Sequence, residues 1–320
     1  MSTLYQRGLH FFDDEGKPDK VGTRLYRELT EGSLKPLVEI VNKSPDYVIL
    51  LRDDYFNVYY KGGNVAKVKS PKSVDFNKEY FRLHKNKADE DYGEIAKKHA
   101  RAKQLFKDGK FEDYFKLIIP AMENYFKLGL KGDEEKECQH QLCINNTYTS
   151  SSDYTILDLE YEVSSRSKFK YQGEDKVGKN KNSLPIPRYD IVAIRKSDSK
   201  LCIMELKKGT KALKGKAGIG EHAERFENTA GRSPETIQYF VSEMKGVLKQ
   251  MQDLKQIPQE VAILSDEVEY MFVMQEKASE DTPNQFDVFD EAYRTELPKY
   301  GITKEYHVIK LKDGDYSIKG

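Results

Sequence analysis

Hydrophobic and polar positions follow a strand-like pattern in three short runs near the start of the chain. The runs are separated by Asp53-Asp54 and by Gly62-Gly63-Asn64, which favour turns, so together they predict a three-stranded antiparallel meander. Residues 21–43 have helical spacing that Gly32 and Pro36 interrupt, which predicts two short helices before the meander. The predicted strands are 47–51, 56–60 and 65–68.

The next part of the chain has helical periodicity. Residues 69–92 are polar and carry a mixed charge run, so they are interpreted as a linker. Residues 95–106 and 111–128 then predict a helical hairpin, with Gly109 between the helices and Pro120 starting or kinking the last segment. A further helix is expected from Asp133, a favoured N-cap residue, to about Asn146.

From residue 154 the order of elements becomes regular. Three strands are followed by a long amphipathic helix, which begins at Pro234 and ends before Pro258. Two further strands, a helix at residues 287–299 and a hairpin around Lys312-Asp313-Gly314 complete the pattern. The predicted strands of this part are 154–163, 189–194, 201–206, 261–264 and 270–274. The fold class is therefore mixed α/β (α+β), in three segments: a small α+β region at 1–85, helices at 86–130 and a larger domain at 131–320.

Composition limits the classes of protein that fit this pattern. A hydrophobic fraction of 38% over 320 residues favours a globular chain, and equal numbers of acidic and basic residues, 53 each, require any basic surface to be local. Three cysteines without CxxC spacing indicate neither a disulfide framework nor a zinc finger. No apolar stretch is long enough to span a membrane, and the start of the chain lacks an apolar export segment. A cytoplasmic protein without a membrane partner is expected.

Two acidic residues and a lysine are the candidates for chemistry. Over residues 201–207 of the predicted strand the side chains alternate faces, so Glu205 and Lys207 should project to the same side. Asp190 begins the preceding strand, and the turn at residues 198–200 makes the two strands plausible antiparallel neighbours. Two carboxylates brought this close repel unless a cation lies between them, and oxygen ligands in small number suit Mg²⁺ or Mn²⁺. An adjacent ammonium would stabilise charge during phosphodiester hydrolysis.

These residues carry a resemblance to a known family. Pro187-Arg188-Tyr189-Asp190 and Met204-Glu205-Leu206-Lys207, set in helix-strand-strand-strand-helix-strand order, resemble the PD-(D/E)xK nuclease superfamily over about 140 residues. The resemblance implies a restriction-endonuclease-like αβββαβ core, with the N-terminal meander and helices as an extension. It assigns metal binding to Asp190 and Glu205 and the catalytic lysine to Lys207. The proline stands three positions before Asp190, so the literal Pro-Asp pair is absent.

Many members of that family add an acidic residue on the helix before the first strand. Glu135 is the choice here for a catalytic and metal-binding role, Glu137 is nearly as good, and Glu160 on the first strand could also reach the metal. The ExK triplet also occurs at Glu15, Glu134, Glu174 and Glu243, but only Glu205 lies in an apolar strand, where a carboxylate is costly to bury without a purpose. The alternative is an edge strand with a solvated salt bridge to Asp190.

Lysine-rich segments flank the predicted centre and favour binding to a phosphate backbone, although a solvated lysine-rich loop is the alternative. Residues 209–220 suggest a substrate flap. His222 could assist at the site, whereas a lone histidine is more often structural. The lysines expected to contact nucleic acid are Lys168, Lys170, Lys208, Lys211, Lys214 and Lys216.

The leading hypothesis is a Mg²⁺- or Mn²⁺-dependent deoxyribonuclease concerned with prokaryotic or phage defence, restriction or repair. The N-terminal region would recognise substrate or a protein partner, and a homodimer is left open. The alternatives are a catalytically inactive nucleic-acid-binding or assembly module on the same fold and a nuclease that cleaves RNA. The biological role rests on analogy, because a fold does not fix a function.

Overall fold

The computed structural model describes residues 7–9, 20–130, 134–147, 152–162 and 188–319. The chain divides into two compact units. One comprises Arg7–Ile144 with Lys249–Gln256, and the other comprises Asn145–Leu248 with Ile257–Gly320. The predicted segment 86–130 and most of 1–85 therefore fall within the first unit. Among the described helices, none combines the length and the apolar character that a membrane span requires.

The first unit is built from helices around an antiparallel sheet. The two short helices, the meander and the helical hairpin that the sequence predicts are confirmed, and Pro120 lies inside the second hairpin helix. The predicted linker is wrong in part, because residues 73–75 form a fourth strand whose Val74 pairs with Val68. In order, the elements are α1 (Lys20–Thr30), α2 (Lys35–Asn42), β1 (Tyr47–Leu51), β2 (Phe56–Tyr60), β3 (Gly63–Ser70), β4 (Ser73–Asp75), α3 (Tyr92–Lys107) and α4 (Phe111–Lys127).

Local features at the two ends of α3 explain the helical hairpin of this unit. The Asp91 side chain accepts hydrogen bonds from the backbone N–H groups of Gly93 and Glu94, which caps the start of α3. Gly109, at φ +71°, adopts the left-handed conformation between α3 and α4, which glycine favours. The buried Tyr114 hydroxyl then donates to the Val65 carbonyl at 2.6 Å and ties α4 to β3.

The second unit contains a five-stranded mixed sheet. Helix α5 (Glu134–Thr147) precedes it, with its last three residues in this unit, and α7 likewise continues into the first unit after Leu248. The strands are confirmed near their predicted bounds at 154–163, 189–194, 201–206 and 270–274. The remaining elements are β5 (Tyr154–Glu162), β6 (Arg188–Arg195), β7 (Lys200–Lys208), α6 (Ile219–Glu227), α7 (Pro234–Asp253), β8 (Val268–Gln275), α8 (Gln285–Lys299) and β9 (His307–Leu311).

The strands of this sheet lie in the order β5-β6-β7-β8-β9. The pairs among β5, β6 and β7 are antiparallel, whereas β8 runs parallel to β7 and β9 runs parallel to β8. Strand β7 is central and buried on both faces from Leu201 to Lys207, which explains its nearly continuous apolar run. Its face with Ile203 and Glu205 is the face that carries the candidate site.

Two predicted elements of this unit are wrong. Residues 261–264 are apolar enough for a strand but form no strand, and Leu264 is exposed. The predicted hairpin around Lys312-Asp313-Gly314 is a turn only, because β9 pairs in parallel with β8 and no strand follows the turn among the described residues. Apolar runs indicate burial more reliably than they indicate a pairing partner.

Helix α6 is closely packed at Gly220, so a larger residue at this position should destabilise the protein. A Cβ atom on Gly220 in α6 would come within 2.3 Å of the Tyr300 ring and 2.9 Å of the Glu296 carbonyl oxygen. Gly220→Ala is therefore expected to lower the free energy of unfolding by about 1–3 kcal/mol. Gly246, in the middle of α7, has no heavy atom within 4 Å of the same position. Gly246→Ala is the matched control and should stabilise by up to about 1 kcal/mol. Urea unfolding of both variants measures the difference, and equal effects would contradict the prediction.

Candidate active site

Two carboxyl groups face each other across β6 and β7. The strands pair Ile191 with Met204 and Val192 with Ile203, and continuing this register places Asp190 opposite Glu205. The Asp190 side chain accepts a hydrogen bond from the Leu206 N–H at 2.9 Å, which fixes the aspartate against β7. Asp190 is 8% exposed and Glu205 is 1% exposed. The proximity that alternation along the strands predicts is therefore present, in a largely dehydrated site.

Lys207 lies on the same face of β7 as Glu205, as the two-residue spacing predicts. Its ammonium donates to Glu205 Oε1 at 3.3 Å and to the Ala217 carbonyl at 2.9 Å. With 4% exposure, the lysine is buried beside the carboxyl pair rather than solvated. The alternative of a solvated salt bridge is wrong for this reason. The Ala217 contact also links β7 to the turn at Gly215–Ala217, within the segment interpreted as a flap.

The electrostatics of the site follow from burial and from the paired carboxyls. Burial raises the pKa of Asp190 well above its ordinary value, and the adjacent Glu205 raises it further. Lys207 and His222 act on this pKa in the opposite direction. The carboxyls of Asp190 and Glu205 are hydrogen-bonded to each other, so one of them carries a proton unless a cation takes the place of that proton.

His222 is the other ionisable side chain at the pair. It lies in the first turns of α6, and its Nδ1 contacts Glu205 Oε1. Burial lowers the pKa of His222 to about 3, and the nearby Lys207 adds to the decrease. The imidazole is therefore neutral at pH 7, and its contact with the glutamate is a hydrogen bond rather than an ion pair.

The three candidates for a further acidic ligand differ in their burial and in their local surroundings. Glu135 is exposed and Glu137 is half-buried, both in the part of α5 that belongs to the first unit. Glu160 adopts a left-handed backbone conformation, at φ +48°, and pairs with Arg188 at 3.8 Å. The identity of a further acidic ligand stays a prediction.

The lysines predicted to contact nucleic acid are only partly described. Lys168 and Lys170 lie outside the described residues, and the side chain of Lys216 is likewise not described. Lys211 and Lys214 are exposed. Lys208 is half-buried and interacts with Asp313 Oδ1 at 3.4 Å. Two of the six lysines therefore project to solvent from the segment that follows β7.

Two polar residues on the same sheet face are additional to the site residues that the sequence predicts. Asp158 in β5 is 1% exposed and pairs with Val192, which places it on the face that holds Asp190. Tyr270 in β8 pairs with Ile203, and its buried hydroxyl has no hydrogen-bond partner among the described atoms. The alternation in β5 carries a signal for Asp158, whereas Tyr270 lies in a fully apolar run that conceals it.

The carboxyl pair is a donor set of the kind that a divalent cation can use. Mg²⁺ usually binds through one or two protein carboxylates and leaves its other positions to water and phosphate. The buried pair Asp190 and Glu205 fits that pattern, because two adjacent carboxylates in a dehydrated site require a positive charge to ionise together. Over the described ranges, no three or more His, Cys, Asp or Glu side chains are grouped as a metal-holding cluster. The fit is to a cation held by two carboxylates, not to a closed protein cage.

Comparisons with known proteins return no relative. No family model matches the sequence, and neither a curated protein nor a solved structure matches it. In its described residues, the chain is of the mixed α/β class with two sheets, one of which carries a buried carboxyl pair with a lysine.

Proposed function

We propose that this chain is a divalent-metal-dependent nuclease that hydrolyses phosphodiester bonds, with DNA as the favoured substrate. The observation that carries the proposal is the buried group of Asp190, Glu205 and Lys207 on adjacent strands. Burying three ionisable side chains together costs free energy that a purely structural role does not require. Perturbed carboxyls in such a setting are typical of functional sites.

Each residue has a distinct role in this proposal. Asp190 and Glu205 would hold Mg²⁺ or Mn²⁺, and the Leu206 N–H keeps Asp190 oriented toward the pair. When bound, such a cation polarises a phosphodiester and increases the acidity of an attacking water. The Lys207 ammonium, held 3.3 Å from Glu205, would stabilise the negative charge that develops on the phosphate oxygens.

The proposed fold family is the PD-(D/E)xK superfamily. The order of α5, β5, β6, β7, α7 and β8 supports it, because this is the order on which the resemblance rests. The chain adds the short helix α6 between β7 and α7. A restriction-endonuclease-like core is therefore part of the proposal, as is a role in prokaryotic or phage defence, restriction or repair. A cytoplasmic location is also proposed, and the free, buried state of the three cysteines supports a reducing compartment.

Nucleic acid as substrate is supported by the lysines around β7. Lys211 and Lys214 are exposed on the segment that follows the strand carrying Glu205 and Lys207. Lysines in such positions contact phosphates and position a nucleic acid without reading its sequence. The proposal is compatible with a protein partner that binds through the first unit. It is also compatible with a homodimer.

The test is a cleavage assay with plasmid and linear DNA and with RNA, in Mg²⁺, in Mn²⁺ and in EDTA. We expect DNA cleavage that requires the metal and falls by at least about 100-fold in Glu205→Gln, because the variant lacks a carboxylate ligand. Glu243→Gln is the matched control, since Glu243 belongs to another ExK triplet and accepts a hydrogen bond from Tyr161 that glutamine can retain. Cleavage of RNA but not of DNA would identify RNA as the substrate. Equal activity in Glu205→Gln and the wild type would overturn the proposal.

The low exposure of the three site residues favours a second candidate, a catalytically inactive module that binds nucleic acid. Lys207 is bonded to the Ala217 carbonyl, so a phosphate reaches the ammonium only after that contact loosens. The inactive module predicts DNA binding that weakens with salt and no hydrolysis with any divalent metal. The same assay, performed alongside a binding titration at two salt concentrations, separates the two functions.

A further inference from the structure

The helix that carries His222 is held in place by contacts on both sides of that residue. Gly220 allows the ring of Tyr300, which follows α8, to approach the α6 backbone. A Cβ atom at position 220 would be too close to that ring. Phe226, four residues after His222, stacks on Tyr270 of β8 with ring centroids 4.5 Å apart and an angle of 14°. Residues four apart share a helix face, so His222 and Phe226 both face the sheet.

His222 reaches the carboxyl pair from this fixed helix. Its side chain is 14% exposed, and its Nδ1 contacts Glu205 Oε1. The same oxygen accepts a hydrogen bond from Lys207. Two donors from different elements, α6 and β7, therefore converge on one oxygen and restrict rotation of the glutamate carboxylate.

We propose that His222 is a positioning residue, whose Nδ1–H holds the Glu205 carboxylate in the orientation that it needs to bind a cation with Asp190. This inference rests on the proposed metal-binding function. Groups that hydrogen-bond to a metal-binding side chain fix its orientation, and their loss typically weakens metal affinity by about 10–100-fold. His222 would act on the metal only through Glu205.

The chemistry of the imidazole allows a specific pair of substitutions. In asparagine, Nδ2 is separated from Cα by the same number of bonds as Nδ1 in histidine, so His222→Asn retains a donor near Glu205. His222→Phe retains the ring and its packing but removes the donor. A positioning role therefore predicts rescue by asparagine, whereas a packing role predicts rescue by phenylalanine.

The first measurement is a titration of the full chain with Mn²⁺, in which electron paramagnetic resonance reports the concentration of the free ion. We expect His222→Phe to weaken binding by about 10–100-fold and His222→Asn to retain most of the affinity. His307→Phe is the control, because His307 is more exposed and lies near Glu269 on β8 instead of near Glu205. Retained affinity in His222→Phe, or equal losses in the phenylalanine and asparagine variants, would overturn the positioning role.

The second measurement needs no metal. Long-range proton–nitrogen NMR correlations report which ring nitrogen of a histidine carries the proton. We expect the Nδ1–H tautomer for His222 in the wild type and its loss in Glu205→Ala, because the hydrogen bond partner selects the tautomer. His222→Asn assigns the signal by its disappearance.

The two measurements separate the two proposals. If the wild type binds no Mn²⁺ while the tautomer depends on Glu205, the metal function fails and the His222–Glu205 contact stands. If Mn²⁺ binds but His222 carries its proton on Nε2, the metal function stands and the positioning role fails.

Discussion

Replacing Lys207 by methionine is expected to lower the rate of DNA cleavage by about 100- to 1,000-fold. The Lys207 ammonium donates to Glu205 Oε1, whereas the His222 imidazole at the same oxygen is neutral at pH 7. Methionine fills a similar volume in a position that is 4% exposed, so the chain should remain folded. Initial cleavage rates at saturating Mg²⁺, together with a thermal unfolding curve, measure both effects.

The same variant should bind the cation at least as tightly as the wild type. Lys207 places a positive charge beside the two proposed ligands, and its removal leaves their negative charge less neutralised. Lys207→Met should therefore separate metal binding from catalysis, which loss of the fold would not do. Lys245→Met is the matched control, because Lys245 closes another ExK triplet and its exposed ammonium pairs with Asp266 at 3.2 Å. Unchanged cleavage by Lys207→Met would remove the lysine from the mechanism.

Much of this site could be predicted because it depends on local geometry. Alternation along β7 puts Glu205 and Lys207 on one face, and a short turn brings Asp190 opposite. The contact between His222 and Glu205 could not be predicted in this way, because it depends on how α6 packs on the sheet. The family resemblance predicts a role for Glu135, whereas the position of this residue in the first unit depends on the tertiary arrangement of α5.

The errors in the fold have a similar physical origin. Residues 73–75 form a strand because β3 provides a partner, although their own sequence is polar apart from Val74. Residues 261–264 are apolar and yet form no strand. Strand formation depends on pairing with a neighbour as well as on the local pattern, and the pattern alone does not specify the neighbour.

Replacing Asp190 by asparagine is expected to stabilise the metal-free protein at neutral pH, by about 1–2 kcal/mol, while removing metal-dependent cleavage. Asparagine can still accept the Leu206 hydrogen bond and can donate to Glu205, but it needs no proton to do so. Thermal unfolding should show a midpoint about 2–8 °C higher than that of the wild type. Mn²⁺ should raise the midpoint of the wild type and leave that of Asp190→Asn unchanged, because only the wild type retains both ligands.

The stability difference between Asp190→Asn and the wild type should depend on pH in a definite direction. The folded state raises the pKa of Asp190 well above the ordinary value of 3.8, so the folded wild type holds a proton that the unfolded chain releases. Its stability in the absence of metal should therefore fall as pH rises from about 4 toward the folded pKa, and the advantage of Asp190→Asn should grow over that range. Below about pH 3 the two proteins should differ little from this cause.

Asp198, in the turn between β6 and β7, provides a control of opposite sign. Its hydrogen bonds with Arg195 lower the pKa of its carboxyl, so Asp198→Asn should reduce stability above the ordinary pKa and lose that effect in acid. A gain in stability from Asp190→Asn together with a loss of stability from Asp198→Asn would show that the two aspartates have different roles. A carboxylate that destabilises the fold but is required for metal-dependent cleavage is retained for function. If Asp190→Asn is instead destabilising at pH 7, the buried pair stabilises the fold and the argument from its cost fails.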